Sequence, residues 1–465
     1  MALIAPVPTP QLSTLGAVHF IAIGGAGMSG VARSFLSAGV PVSGSDQVDS
    51  DILTELRLAG ATIWVGHDPS HLDGVDTVVV STAIGQHNCE LVEARRRGLT
   101  ILHRSVALAC LMGDSTVISV AGTHGKTTTT ALCILGLTGA GEDPSYVVGG
   151  TLLNTGTGSY QSTSELFVVE ADESDGSFRQ YPTTIAVITG VEADHLDNWE
   201  TESNYIQGFV DFASGPTVTH VVLCYDDPGA RGLIETIQAA GKTVLTYGTH
   251  PLADLQLTDV DPRNGRATLT TPTGQTHLKL RVHGLHNLLN ATASCGVGHI
   301  LGLDQEKFLS GVGSFLGTHR RFQTIGEIRG ITVIDDYAHH PTEVEATIAA
   351  AKLQARGGKI IVCFQPHLYS RTLKFSQEFG RALADAGEVV VLDVYPAREE
   401  PIDGVTGDMV AQEVKRYGTS VHYVENMDDA PDVIARLAGP SDLVITMGAG
   451  SVTQLGPRIL CALEV

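Results

Sequence analysis

Seven cysteines (89, 110, 133, 224, 295, 363 and 461) are scattered over 465 residues without a single C-x-x-C pair. That spacing excludes a disulfide framework and the common zinc sites, and leaves free thiols in a reducing compartment. Basic residues are scarce, 29 against 51 acidic ones, for a formal net charge of -22. Nucleic-acid proteins grip phosphate backbones with clustered Lys and Arg, so no nucleic-acid partner is expected. No apolar run reaches the roughly 18–20 residues of a membrane helix, so no membrane partner is expected either. The first sixteen residues hold no Lys or Arg but several prolines, unlike the charged and apolar regions of a signal peptide. A cytoplasmic location follows as the expectation. Nothing selects an assembly, and a monomer or weak homodimer is expected.

What is present is globular: 43% hydrophobic, 17% charged, with a mean hydropathy of +0.12. A chain this long predicts two to four domains, at on the order of 100–200 residues each. Short β-branched runs alternate with helical stretches nearly throughout, the pattern of doubly wound α/β domains with parallel sheets. Strands are predicted over 18–23, 40–46 and 77–81. A polar break at Met112-Gly113-Asp114 precedes a fresh strand over 116–120. Further strands follow over 166–170, 185–189, 220–224 and 243–246. From Leu255 to Val282 the pattern changes to alternation broken by Arg263-Asn264-Gly265 and Pro272-Thr273-Gly274, which predicts antiparallel hairpins. A second boundary falls near Gly317-Thr318-His319. Strands over 331–335, 360–364, 389–393, 421–423 and 443–446 then predict a third α/β domain.

Two loops carry chemistry. After the first strand, Gly25-Ala26-Gly27-Met28-Ser29-Gly30 satisfies G-x-G-x-x-G at a helix start, and Asp46 closes the second strand. Glycines let backbone approach a diphosphate, and the helix dipole adds partial positive charge. NAD, a nucleotide diphosphate such as UDP, and a purely structural turn all fit this loop. After the strand at 116–120, Gly122-Thr123-His124-Gly125-Lys126-Thr127 leads into a helix through Thr128. Such a loop aims N–H groups at phosphates, with the Lys on the β/γ oxygens and the Thr hydroxyl on Mg²⁺. The spacing departs from G-x-x-x-x-G-K-[ST], because Val120 stands where the first glycine belongs. Two acidic runs, Glu170-Ala171-Asp172-Glu173-Ser174-Asp175 and Glu192-Ala193-Asp194-His195, follow the next strands. Ligands of open parallel sheets bind at such strand ends. Glu170 is the expected ligand for Mg²⁺ or Mn²⁺, with His195 on a second metal or a substrate phosphate.

Taken together, the loop at 122–127, Glu170-Ala171-Asp172-Glu173, Asp194-His195 and His286-Asn287 with Asn290-Ala291 resemble the Mur ligases, three-domain ATP-dependent formers of amide bonds. The resemblance runs over essentially the whole chain. It implies a Rossmann-like UDP-binding domain over 1–112, a central ATPase domain over 113–317 and a Rossmann-like amino-acid-binding domain over 318–465. His19 to Met28 with Ser43-Gly44-Ser45-Asp46, the segment 335–343 and the segment 364–372 resemble the alanine-adding branch, except that Leu368 stands where a basic residue is common. No Lys occurs between Lys126 and Lys242. The carbamoylated lysine used by several other branches therefore has no counterpart here.

The resemblance implies ATP-driven ligation of L-alanine to the lactyl carboxylate of UDP-N-acetylmuramate through an acyl phosphate. It assigns catalysis to Lys126, Glu170, His195 and Arg371, and metal ligation to Thr127, Glu170 and His195. ATP falls to Gly122, Thr123, His124, Gly125, Lys126, Thr127, Thr128, His286, Asn287, Asn290, Arg321 and Asp336. The UDP-sugar and alanine fall to Gly24, Gly25, Ala26, Gly27, Met28, Ser29, Asp46, His67, Ser81, Tyr337, His340, His367 and Arg371. Arg371 suits a carboxylate because a guanidinium grips it bidentately. The competing readings are a branch that attaches an intact tripeptide, and an NAD-dependent dehydrogenase, which explains only the first hundred or so residues.

Overall fold

Apolar runs, buried on both faces in the central strands, build three sheets in the computed structural model, which describes residues 3–464 except 356 and 398. The first sheet comprises β1 (Val18–Ile21), β2 (Val42–Asp46), β3 (Thr62–Val65), β4 (Thr77–Val80) and β5 (Thr100–His103). All are parallel, in the order β3-β2-β1-β4-β5. The order reverses between β1 and β4, and ligands of such sheets bind at that point. The helix Ala26–Ser37 starts there, directly after β1.

The second sheet holds β6 (Thr116–Ala121), β7 (Ser145–Val147), β8 (Ser159–Tyr160), β9 (Leu166–Glu170), β10 (Thr183–Ile188), β11 (His220–Cys224), β12 (Thr243–Gly248), β13 (Leu255–Asp261), β14 (Arg266–Thr271) and β15 (Gly274–Lys279). Their order is β15-β14-β13-β12-β11-β10-β6-β9-β7-β8. β6 lies between β10 and β9 and is parallel to both. The carboxyl ends of these three strands therefore share one edge. β13, β14 and β15 are neighbours joined by short turns, and connections that short join antiparallel strands. The helix Lys126–Ala140 follows β6 and packs on the helix Gln305–Gly313.

The third sheet contains β16 (Gln323–Ile328), β17 (Ile331–Asp336), β18 (Ile360–Phe364), β19 (Glu388–Leu392), β20 (Ser420–Val424) and β21 (Leu443–Met447), ordered β16-β17-β21-β18-β19-β20. Only β16 is antiparallel. It joins β17 through Arg329 and Gly330, at φ 51° and 76°. Two positive φ values in a two-residue loop match the right-handed twist of a hairpin. This is the three-domain α/β architecture expected of the sequence.

The chain groups into two compact units. One runs to residue 260 and includes 267–280 and 289–316, with the first sheet and most of the second. The other comprises 261–266, 281–288 and the chain from 317, with the third sheet. In the first unit a single apolar cluster joins Phe20 and Phe35 of the amino-terminal sheet layer to Val117, Phe167 and Val169 of the second sheet. Among the described residues, no helix is long and apolar enough to cross a membrane.

Candidate active site

In the first unit, the loop after β1 is closed by Asp46, whose Oδ2 accepts from Gly24 N at 2.9 Å. A Cβ on Gly24 would meet that oxygen at 2.9 Å, so the tie needs glycine. Asp46, expected on a ribose, spends that oxygen on shaping the loop. Gly25 caps the helix Ala26–Ser37 without a side-chain hydrogen bond. The amides of its first turn thus carry the positive end of the helix dipole. Met28 and Ser29 are buried, and both donate their N–H to Gly25 O at 2.9 Å. The side chain of Ala26 lies outside the described residues. Gly27 faces the guanidinium of Arg104, whose Nη1 would lie 2.2 Å from a Cβ there. Ser81 sits in the turn after β4, its carbonyl accepting from Ile84 N at 3.1 Å.

His67 belongs to a buried cluster centred on Glu90. The Glu90 carboxylate accepts from Ser45 Oγ at 2.6 Å, His71 Nδ1 at 2.7 Å, His67 Nδ1 at 3.2 Å and Asp68 N at 3.2 Å. His19 Nε2 stands 3.5 Å away, and Trp64 stacks on His71 at 4.4 Å. Burial disfavours the charge, but the facing His19 ring and hydrogen bonds from Ser45 and His71 outweigh it and hold Glu90 at about 2. Ser45 gives its proton to Glu90, so His67, 2.8 Å from Ser45 Oγ, is the donor through Nδ1.

The phosphate loop leaves β6 at Gly122 (φ 133°) and enters its helix at Gly125 (φ 82°). A Cβ on Gly122 would fall 2.1 Å from Thr189 Oγ1, and one on Gly125 would fall 2.7 Å from Asn290 Oδ1. Conformation and space both demand glycine at these two positions. Thr123 Oγ1 donates to Glu192 O at 2.9 Å and pairs with Tyr205 OH at 3.0 Å, while His124 Nε2 meets Glu192 Oε2 at 3.1 Å. Thr128 is buried in the first turn of the helix. Lys126 Nζ donates to Gly122 O at 2.7 Å and pairs with Glu173 at 2.9 Å. Burial disfavours its charge, but Glu173 and Asp172 outweigh it and raise its pKa. Burial likewise raises Glu173 against the pull of Lys126.

Thr127 Oγ1 donates to Glu170 Oε1 at 3.0 Å, and Gly149 N to Glu170 Oε2 at 2.7 Å. A hydroxyl and a carboxylate thus converge beside the loop, and hard oxygen donors of this kind suit Mg²⁺. His195 sits at φ 52° with Nε2 3.9 Å from Glu173 and 3.6 Å from Asp194. The structure therefore gathers Lys126, Thr127, Glu170 and His195 at adjoining strand ends, and brings Asn290 to Gly125.

In the second unit, Asn287 Nδ2 donates to His283 O at 2.7 Å. Half-buried His286 loses its charge readily, removal from water pushing its pKa down to about 4. Asp336 at the end of β17 accepts from Phe322 N at 2.7 Å through Oδ2, and from Ala338 N at 2.8 Å through Oδ1. Burial outweighs the pull of Arg321 and raises Asp336 to about 6. Arg320 and Arg321 both lie over the Tyr337 ring, at 4.7 and 5.1 Å. Arg321 reaches Glu343 at 3.6 Å, and Arg320 donates to Gly448 O at 2.7 Å. Glu343 accepts from the amides of His339 and His340, capping the helix Pro341–Gln354. The His340 ring is buried and meets Phe375 edge-on. His367 stacks on Tyr395 and lies edge-on to His339. Arg371 is only 8% exposed on the helix Tyr369–Leu383, an unusual place for a guanidinium with no role. Leu368 precedes that helix at φ 70°, a costly conformation for a side chain of its size. Tyr337, His339, His367, Arg371 and Tyr395 thus all follow the carboxyl ends of the third sheet's parallel strands.

Sequence reasoning passed over Arg104, Arg320, Glu90 and the pairing of Lys126 with Glu173. Glu173 lay inside an acidic run whose first member was singled out instead. For Arg104 the only local signal is its place at the start of a helix.

Three family models match: the Mur ligase family catalytic domain over residues 17–116, the Mur ligase middle domain over 120–298, and the Mur ligase glutamate ligase domain over 320–450. A UDP-N-acetylmuramate–L-alanine ligase of Cutibacterium acnes is 52% identical, covering 100% of this chain and 99% of its own. One of Thermobifida fusca is 47% identical, covering 100% of both. The crystal structure of a UDP-N-acetylmuramate–alanine ligase from Thermotoga maritima superposes with a TM-score of 0.81 at 28% identity, over 96% of this chain and 99% of that one.

Proposed function

The chain belongs to the Mur ligase family, and on that premise we propose that it joins L-alanine to the lactyl carboxylate of UDP-N-acetylmuramate at the expense of ATP, in peptidoglycan precursor synthesis. The observation that carries the reading is the 52% identity, end to end, with a ligase of that activity. It works in the cytoplasm, as a monomer or weak homodimer.

The lactyl carboxylate attacks the γ-phosphorus of ATP, ADP leaves, and an acyl phosphate forms. Catalysis of such a transfer is mainly positioning and charge neutralisation. Lys126, kept protonated by its acidic neighbours, serves the β/γ oxygens, and the glycine-framed amides of 122–127 cradle them. Asn290, beside Gly125, with His286 and Asn287, holds the adenine. Thr127 and Glu170, joined by His195, would hold Mg²⁺, which supplies neutralisation of phosphate charge when bound. The free amine of L-alanine then attacks the acyl carbon. The tetrahedral species loses the proton of the former amine to solvent and expels phosphate, which keeps one former carboxylate oxygen. Arg371 takes the alanine carboxylate, and Tyr337, His340 and His367 frame the amino acid. Arg321 serves the phosphates. Asp336, expected on the ATP ribose, contributes by tying the backbone at Phe322 and Ala338, on either side of the β16–β17 hairpin, since its two oxygens accept from those N–H groups.

The route has an isotopic consequence. Heavy oxygen placed in the lactyl carboxylate appears in the released inorganic phosphate, at one atom per turnover. Phosphate free of label would exclude the acyl phosphate.

A further inference from the structure

Arg104 opens the helix Arg104–Met112, and every other residue of that helix is buried. Its guanidinium lies between two features at the junction of the first and second sheets. On one side Nη2 reaches Asp172 Oδ2 at 3.1 Å and Asp175 Oδ2 at 3.9 Å. On the other, Nη1 occupies the space that a side chain at position 27 would fill, 2.2 Å from an ideal Cβ. The second glycine of the loop is therefore required by a cation from another helix, not only by the approach of a ligand. Arg104 stays charged at every pH of interest. Burial opposes its charge, but Asp172, Tyr181 and Asp175 outweigh it.

The electrostatics of this placement are one-sided. The helix Ala26–Ser37 begins at Gly25 with no side-chain cap, so its first amides present positive partial charge. A guanidinium set against that end is repelled by it, and Asp172 and Asp175 compensate from the far side only. An anion seated between the loop amides and Nη1 turns both repulsions into attractions, and a guanidinium fork matches phosphate oxygens in shape as well as charge. We infer that Arg104 grips the diphosphate of the nucleotide sugar at the glycine loop, with Asp172 as its counter-ion. The inference rests on the reading of that loop as the nucleotide-sugar site. It also links the two loops, because Asp172 is held low by both Arg104 and Lys126 against its burial.

The test measures binding of UDP, UMP, UDP-N-acetylmuramate and ATP by calorimetry to the full chain and to Arg104→Met, Arg104→Lys and Gly27→Ala, with thermal melting as the check on folding. A charge-assisted hydrogen bond lost from a partly buried site corresponds to about 10- to 100-fold in affinity. Arg104→Met is expected to weaken UDP by that factor, and UMP and ATP much less. Arg104→Lys recovers part of the loss. Gly27→Ala retains the arginine but displaces the far end of its flexible side chain. It is expected to reproduce the UDP defect, and it serves if Arg104→Met does not fold. UDP affinity unchanged in folded Arg104→Met and in Gly27→Ala overturns the assignment. So does an equal loss for UDP and UMP, which marks a structural role. So does a loss seen with UDP-N-acetylmuramate but not UDP, which moves the contact to the lactyl carboxylate. Failure of the unaltered chain to bind UDP would instead overturn the reading of the loop itself.

Discussion

Glu90 has no exposed surface, yet it stays ionised because the histidines 19, 67 and 71, the Ser45 hydroxyl and the Asp68 amide all face it. Its pKa is held at about 2 against an ordinary 4.5. A depressed carboxylate contributes stability that is complete above the ordinary value and lost as pH falls through the folded one, here between about 4.5 and 2. The contribution is on the order of 3 kcal/mol at neutral pH. Glu90→Gln, which keeps the shape but not the charge, is expected to be less stable than the unaltered chain at pH 7 in urea denaturation. The gap closes as pH drops below 4.5, and a gap independent of pH contradicts the account. Nothing in the local sequence pointed to this group, because its members come from β1, β2, the segment after β3 and the helix after β4, and meet only once the sheet forms. Lys126, Thr127 and Gly125 were legible because a phosphate loop restricts residue types at fixed spacing. Lys126's own partner, Glu173, was not, since an acidic run does not say which carboxylate turns inward.

The helix that carries the phosphate loop is positioned by glycine contacts. Gly139 and Gly311 lie where the helices Lys126–Ala140 and Gln305–Gly313 touch, and a Cβ on Gly311 would fall 2.0 Å from the carbonyl oxygen of Leu135. Backbone cannot yield as a flexible side chain does. Gly311→Ala is therefore expected to cost about 1–3 kcal/mol and to raise the KM for ATP by shifting the helix that begins at Lys126. Gly85→Ala, where nothing lies within 4 Å, is the neutral control. Equal melting temperatures and KM values for the two variants would contradict the packing argument. Among the elements, the buried parallel strands β6, β9, β11 and β18 were readable, since burial on both faces leaves continuous apolar runs. The half-exposed β3 and β5, the three-residue β7, the two-residue β8 and the hairpin strand β16 were not. They are too short, or too mixed with polar positions, to form a long apolar run, and pairing with an already formed sheet supplies what propensity does not.

With 29 basic residues against 51 acidic ones, the molecule as a whole repels the anionic substrates it must bind. Affinity then depends on a few placed cations, and Arg104, Lys126, Arg320 and Arg371 are each buried or half-buried. The most direct test of the activity is phosphate release from ATP and Mg²⁺ in the presence of UDP-N-acetylmuramate, with L-alanine, D-glutamate or the intact wall tripeptide as acceptor. Release that requires both the UDP-sugar and L-alanine is the predicted result; release with the tripeptide alone, or with no acceptor at all among the three, would contradict it.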